Sequence, residues 1–138
     1  MDRRDFQSLA RARAREAGVL LASRQYSGAY YLSGYAVEFA LKACIAKQTR
    51  ASEFPPRPDE VRRIYSHNFD QLLLAAHLIE ALTEATALDS HLNENWRRAK
   101  DWTEESRYEK WPRDESYRLY TAITEQRHGV LAWLTQYW

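Results

Sequence analysis

Cysteine is almost missing from this chain of 138 residues: Cys44 stands alone, so no internal disulfide can form. Glycine and proline are scarce too, four of each, which leaves few points where a helix must stop. No run of about 18 apolar residues occurs, which excludes a membrane-spanning helix, and no secretory leader is legible. The expectation is a cytoplasmic protein with no membrane association. Neither sign of charge dominates, with 20 Lys and Arg against 19 Asp and Glu, so a bulk polycationic or polyanionic surface is excluded. The four histidines, His67, His77, His91 and His128, form no His-x3-His pair, and no Cys/His cluster accompanies them. Neither a glycine-rich phosphate loop nor a nucleophile elbow is present. No metal site and no cofactor are therefore expected.

What the chain does have is aromatic side chains, five Trp and nine Tyr. A small domain has limited interior for so many rings, which leaves some of them for a partner surface. There is also one local charge imbalance. Residues 1–24 hold Arg3, Arg4, Arg11, Arg13, Arg15 and Arg24 against Asp2, Asp5 and Glu16, six minus three or +3. Such an arm can touch phosphate, or simply solvate the outer face of a first helix.

The most informative stretch is 26–47, YSGAYYLSGYAVEFALKACIAK. At helical spacing its apolar side chains surround nearly the whole circumference, the pattern of a helix buried in a bundle. One stripe is small throughout (Ala29, Ser33, Ala36, Ala40, Ala43), which lets a neighbouring helix come close. A second stripe carries Tyr31, Tyr35, Glu38 and Lys42, so the two central charges lie one turn apart, Glu before Lys. These two are read as structural polar groups.

Along the rest of the chain, helical periodicity predicts a first helix from about Asp5 to Ala22 and a second ending by about Thr49, before the three prolines of ASEFPPRP. Asn68 and Gln71 form a capping pattern for a third helix, carrying Phe69, Leu72, Leu73, Ala76 and Ile79. A fourth fits Leu88 to Trp102, with Leu88, Leu92, Trp96 and Ala99 inward. After a loop at Thr103–Arg113, a last helix runs from near Asp114 past Tyr120, Ile123, Val130, Leu131 and Leu134, with Gly129 inside it. No strand is legible. The expectation is one all-α domain over residues 1–138, a bundle of about five helices.

Two polar segments carry chemistry. Arg62 and His67 stand just before the third helix with four residues between them. An imidazole serves as acid or base near neutral pH, a guanidinium grips phosphate, and a helix N-terminus attracts anions. The alternative is that His67 helps cap the helix and the arginines are solvated. The second segment, Ser106-Arg107-Tyr108, lies in a loop flanked by Trp102 and Trp111. Arg107 can stack on a base or bond a phosphate; as the structural alternative it pairs with Glu38, which needs a partner if buried.

Taken in order, AYYLSGYAVEFALKACIAK, a proline-bearing loop, HNFDQLL, then SRYEKW before a final helix resemble the HEPN domain of bacteria and archaea, over Tyr26 to Leu134. The resemblance implies an up-and-down helical bundle, commonly a homodimer. It implies one of two activities: metal-independent RNA cleavage, as in toxin–antitoxin and phage-defence systems, or nucleotide binding, often beside a minimal nucleotidyltransferase. The family's nuclease signature is an arginine, a spacer of four to six residues and a histidine. Arg62 and His67 match the spacing, with Arg63 in the polar position. That signature usually lies later in the chain, where Arg107-Tyr108 is followed by no suitably spaced histidine and Arg127 directly adjoins His128. The resemblance thus implies a non-catalytic or weakly catalytic module binding nucleotide, RNA or a partner nucleotidyltransferase. His67, Arg107, Tyr108, Tyr31 and Tyr35 are then its binding residues. Its rivals are a metal-independent RNase using Arg62 and His67, and a pure protein-interaction subunit.

Overall fold

The computed structural model describes residues 1–49 and 58–138, all helices and connections with no strand among them. The chain opens with α1, Arg3–Ala22. Its start is fixed by a reciprocal cap in which the Asp5 N–H donates to the Asp2 carboxylate (3.0 Å) and the Asp2 N–H to that of Asp5 (2.8 Å). A tight turn through Arg24, whose φ of 60° is left-handed, reverses the chain into α2, Tyr26–Thr49. The two helices run antiparallel: Phe6 stacks on Phe39, centroids 6.3 Å apart, and Leu20 lies against Gly28.

α2 is the axis of the molecule. α1, three later helices (Phe69–Ala75, Arg113–Thr124 and Val130–Leu134) and the short 3₁₀ helix Glu104–Tyr108 pack against it, and the whole small stripe from Ala29 to Ala43 is buried. Cys44 sits at its apolar end, its thiol donating to the Leu134 carbonyl, and burial pushes the thiol up to about 12. That cysteine is a packing residue.

The remaining elements are shorter than periodicity suggests. They are α3 (Pro58–Ile64), α4 (Phe69–Ala75), α5 (Ile79–Leu88), α6 (Ser90–Lys100), a 3₁₀ helix at Glu104–Tyr108, α7 (Arg113–Thr124) and α8 (Val130–Leu134). Eight α-helices among the described residues replace the five expected. Two expected helices are each cut in two. The third stops at Ala75: His77 takes a φ of 58°, and the N–H groups of His77 and Leu78 close back on the Leu74 and Leu73 carbonyls, both at 3.1 Å. This turn buries Leu78 in the core and leaves Ile79 half-exposed. The last breaks after Thr124, where the Glu125 carboxylate accepts the N–H groups of Arg127 and His128. Gly129 therefore precedes α8 instead of sitting inside a helix, and a Cβ there would run into the Glu125 backbone.

Leu88 is a further correction. It was expected inward, yet it is 92% exposed, because α6 begins only after Asp89, whose carboxylate accepts the His91 and Leu92 N–H groups at 3.0 and 3.1 Å. The proline-bearing loop between α2 and α3 lies largely outside the described residues.

Candidate functional site

The polar stripe of α2 faces a cluster built from three distant parts of the chain. At its base is Glu38, 1% exposed. An isolated carboxylate there would be strongly unfavourable. The Lys42 ammonium, one turn on, lies 2.9 Å from its Oε1 and supplies the counter-charge. His67 comes from the segment before α4 and sets its Nδ1 2.9 Å from Oε1 and 3.0 Å from Oε2. Local hydrogen bonds hold that segment in place: the Asn68 N–H donates to Ser66 Oγ at 2.9 Å, and the Gln71 N–H to Asn68 Oδ1 at 3.1 Å. Because a carboxylate only accepts, His67 Nδ1 is the donor, and the opposite ring edge is left open. The His67 side chain is 42% exposed. It borders a cleft of about 340 Å³ running between the start of α4 and Trp102–Glu105.

Aromatic rings wall the site. Tyr31 and Tyr35 meet edge to face at 4.9 Å, and Tyr35 packs edge-on against both Trp102 (5.1 Å) and His67 (6.4 Å). Trp102 stacks in turn on Phe69 at 5.5 Å. Its indole lies flat on α2 at Gly34, where any side chain would collide with the ring. Burial, and then its hydrogen bond with Tyr31, push the Tyr35 hydroxyl far above the usual tyrosine range, so it remains a neutral hydroxyl. Arg107 approaches from the 3₁₀ helix, its guanidinium 4.7 Å above the Tyr108 ring. Hydrogen bonds with Tyr108 first, and also with Tyr31, raise its already high pKa, so it is a permanent, exposed cation beside the aromatic wall.

His67, Tyr31, Tyr35, Arg107 and Tyr108 are thus brought together, with Glu38 and Lys42 beneath them. Arg62 stands apart. It lies on the exposed side of α3, a helix where a loop was expected, and no hydrogen bond or ion pair joins it to His67; its neighbour Arg63 pairs with Asp59 at 3.7 Å. The expected Glu38–Arg107 pair is also replaced. Lys42 and His67 reach the buried carboxylate, while Arg107 bonds tyrosines. The anticipated helix N-terminus offers little to an anion, since α4 has seven residues and its cap already satisfies the Gln71 N–H.

Comparison with protein-family models, with curated proteins and with solved structures finds no match. The site must be read from its own chemistry. Among the described residues, no group of three or more His, Cys, Asp or Glu side chains is arranged to hold a metal ion, and no helix is long and apolar enough to cross a membrane.

Sequence reasoning missed Trp102 as the wall that joins the tyrosines to Phe69. Gly34 was its signal, because a glycine in the middle of an apolar helix marks a close approach. A second carboxylate–imidazole pair was missed too, with His128 Nδ1 2.7 Å from Asp89 Oδ2 and the His91 ring 4.9 Å away. Residues so far apart in the chain give no local signal.

Proposed function

We propose that this chain is a HEPN-like helical module that binds a nucleotide or single-stranded RNA on the face formed by Tyr31, Tyr35, His67, Arg107 and Tyr108, with little or no catalysis of its own. The observation that carries the reading is the convergence of a carboxylate-oriented imidazole, a permanent guanidinium and an aromatic wall on one side of α2. Those are the groups that a sugar, a phosphate and a base each require. Tyr108, 71% exposed and held under Arg107, is available for stacking. The ordered motifs of the family resemblance add to this, and they make a second copy of the chain and a minimal nucleotidyltransferase the partners to look for.

The test is titration of the full chain with AMP and with a short single-stranded RNA, following intrinsic tryptophan fluorescence. Arg107→Ala should weaken both by about tenfold, the worth of one charge-assisted phosphate contact. Absence of binding to the parent protein, or equal binding by the variant, would overturn the reading.

One observation favours a second reading, metal-independent RNA cleavage. With Nδ1 donating to Glu38, the other nitrogen of His67 can take a proton from a ribose 2′-hydroxyl. That reading expects EDTA-resistant cleavage lost in His67→Ala. Arg62→Ala then asks whether the family's spacing matters here, since Arg62 is not bonded to His67.

A further inference from the structure

Resting on that nucleotide reading, we infer that the site divides its ligand: Arg107 takes the phosphate, and His67 takes a ribose hydroxyl as an acceptor through Nε2. The division follows from the buried base of the site. Glu38 already has a counter-charge in Lys42 at 2.9 Å, and His67 adds an N–H donor to the same carboxylate. With both carboxylate oxygens within 3.0 Å of Nδ1, the proton sits on Nδ1. In the neutral imidazole with that tautomer, Nε2 carries only a lone pair. A lone pair repels the oxygens of a phosphate and welcomes an O–H.

The surroundings sort the two groups in the same way. On the His67 side the cleft presents the carboxylates of Asp70, Glu104 and Glu105 against the single ammonium of Lys100, a wall hostile to a dianion. Arg107 reaches the aromatic wall through Tyr31, whose ring meets Tyr35 at 4.9 Å, and it is exposed. Its five N–H groups exceed what the Tyr31 and Tyr108 hydroxyls can occupy, which leaves part of the fork for phosphate oxygens. His67 meets the Tyr35 ring at 6.4 Å, and Tyr31, the partner of Arg107, meets the same ring at 4.9 Å, so Arg107 and His67 share one aromatic wall. The two ligand groups they hold must then be neighbours in the ligand, as the phosphate and sugar of a nucleotide are. A hydroxyl requirement at His67 also gives the site a preference for ribose over deoxyribose.

The experiment is calorimetric titration of the full chain with AMP, adenosine and 2′,3′-dideoxy-AMP. The parent protein should bind AMP roughly tenfold more tightly than either analogue, about one hydrogen-bonded group in each comparison. In Arg107→Ala the preference for AMP over adenosine should vanish while the preference over dideoxy-AMP persists. In His67→Asn, whose amide still donates to Glu38 but offers nothing in place of Nε2, the pattern should reverse. The conservative substitution keeps the buried carboxylate partnered, and thermal unfolding checks that the variant is folded. Should His67→Asn instead lose the phosphate preference, or should both preferences survive in both variants, the division is wrong although nucleotide binding stands. If the parent protein binds no AMP, the nucleotide reading falls and the division falls with it.

Discussion

At the scale of single residues, Glu38 decides most. It is a buried charge held by one ammonium and one imidazole, so removing it strands Lys42, whose side chain is mostly covered. Glu38→Gln keeps the volume and deletes the charge. It should cost about 3–5 kcal/mol, the range for breaking a buried pair from one side, read as a lower urea midpoint at unchanged slope. A loss below about 0.5 kcal/mol would mean that Lys42 swings to water without penalty. A second residue-scale expectation concerns acid. Hydrogen bonding to His128 first holds the Asp89 carboxyl below its ordinary 3.8, and the N–H groups of His128 and Arg127 hold Glu125 below its ordinary 4.5. Folded values below the unfolded ones mean stability that is fully present above those ordinary values and lost as pH falls from them through the lower folded values. Asp89→Asn and Glu125→Gln should each flatten the loss of stability below about pH 4.5, measured as melting temperature against pH. An unchanged slope in both would refute the assignment. The polar residues of the candidate site were legible singly, His67 by its capping neighbour and Arg107 by its aromatic setting. The Glu38–Lys42 spacing was legible as well, but the pairing of Glu38 with His67 was not, because His67 arrives from a separate segment and nothing in a linear pattern ranks it above Arg107.

At the scale of elements, α2 and the breaks around it carry the lesson. The buried helix, its small stripe and the Asn68 cap were all readable, since periodicity and capping are local. The cuts at His77 and at Glu125–Gly129 were not. Apolar spacing runs on across both, and what stops the helices is a left-handed residue in one case and a side-chain carboxylate turned back on the main chain in the other. Such interruptions are settled by which side chains the rest of the bundle can cover, as with Leu78, which only the turn brings into the core. Gly34 tests the same principle. In an isolated helix Gly→Ala would gain about 1 kcal/mol. Here the added methyl would meet the Trp102 indole, which is 2% exposed and has no room to retreat. Gly34→Ala should therefore destabilise, by about 1–3 kcal/mol after overpacking outweighs propensity. It should also weaken ligand binding, because the displaced indole is the wall against which Tyr31 and Tyr35 pack. A stabilised Gly34→Ala would show that Trp102 is not locked on α2.

For the whole molecule, the consequence is that one site draws on pieces of very different size. α1 and α2 form a long antiparallel pair at the centre, whereas His67 precedes a seven-residue helix and Arg107 sits on a five-residue 3₁₀ helix. Short elements open locally at low cost, and long packed helices open only with the whole fold. A nucleotide held between them must therefore stabilise unevenly. With AMP at about ten times its dissociation constant, amide exchange in residues 67–72 and 103–109 should slow by about tenfold, since those openings release the ligand. The amides of α1 should change far less, because their exchange is governed by larger openings. α3, on whose exposed side Arg62 lies, should also stay unprotected, since Arg62 takes no part in the bonded cluster. Hydrogen-exchange mass spectrometry with and without AMP measures all three regions in one experiment. Protection centred on α3 would move the site to Arg62, and uniform protection along the chain would mean that the ligand does not depend on the 3₁₀ helix and the α4 start that supply Arg107 and His67.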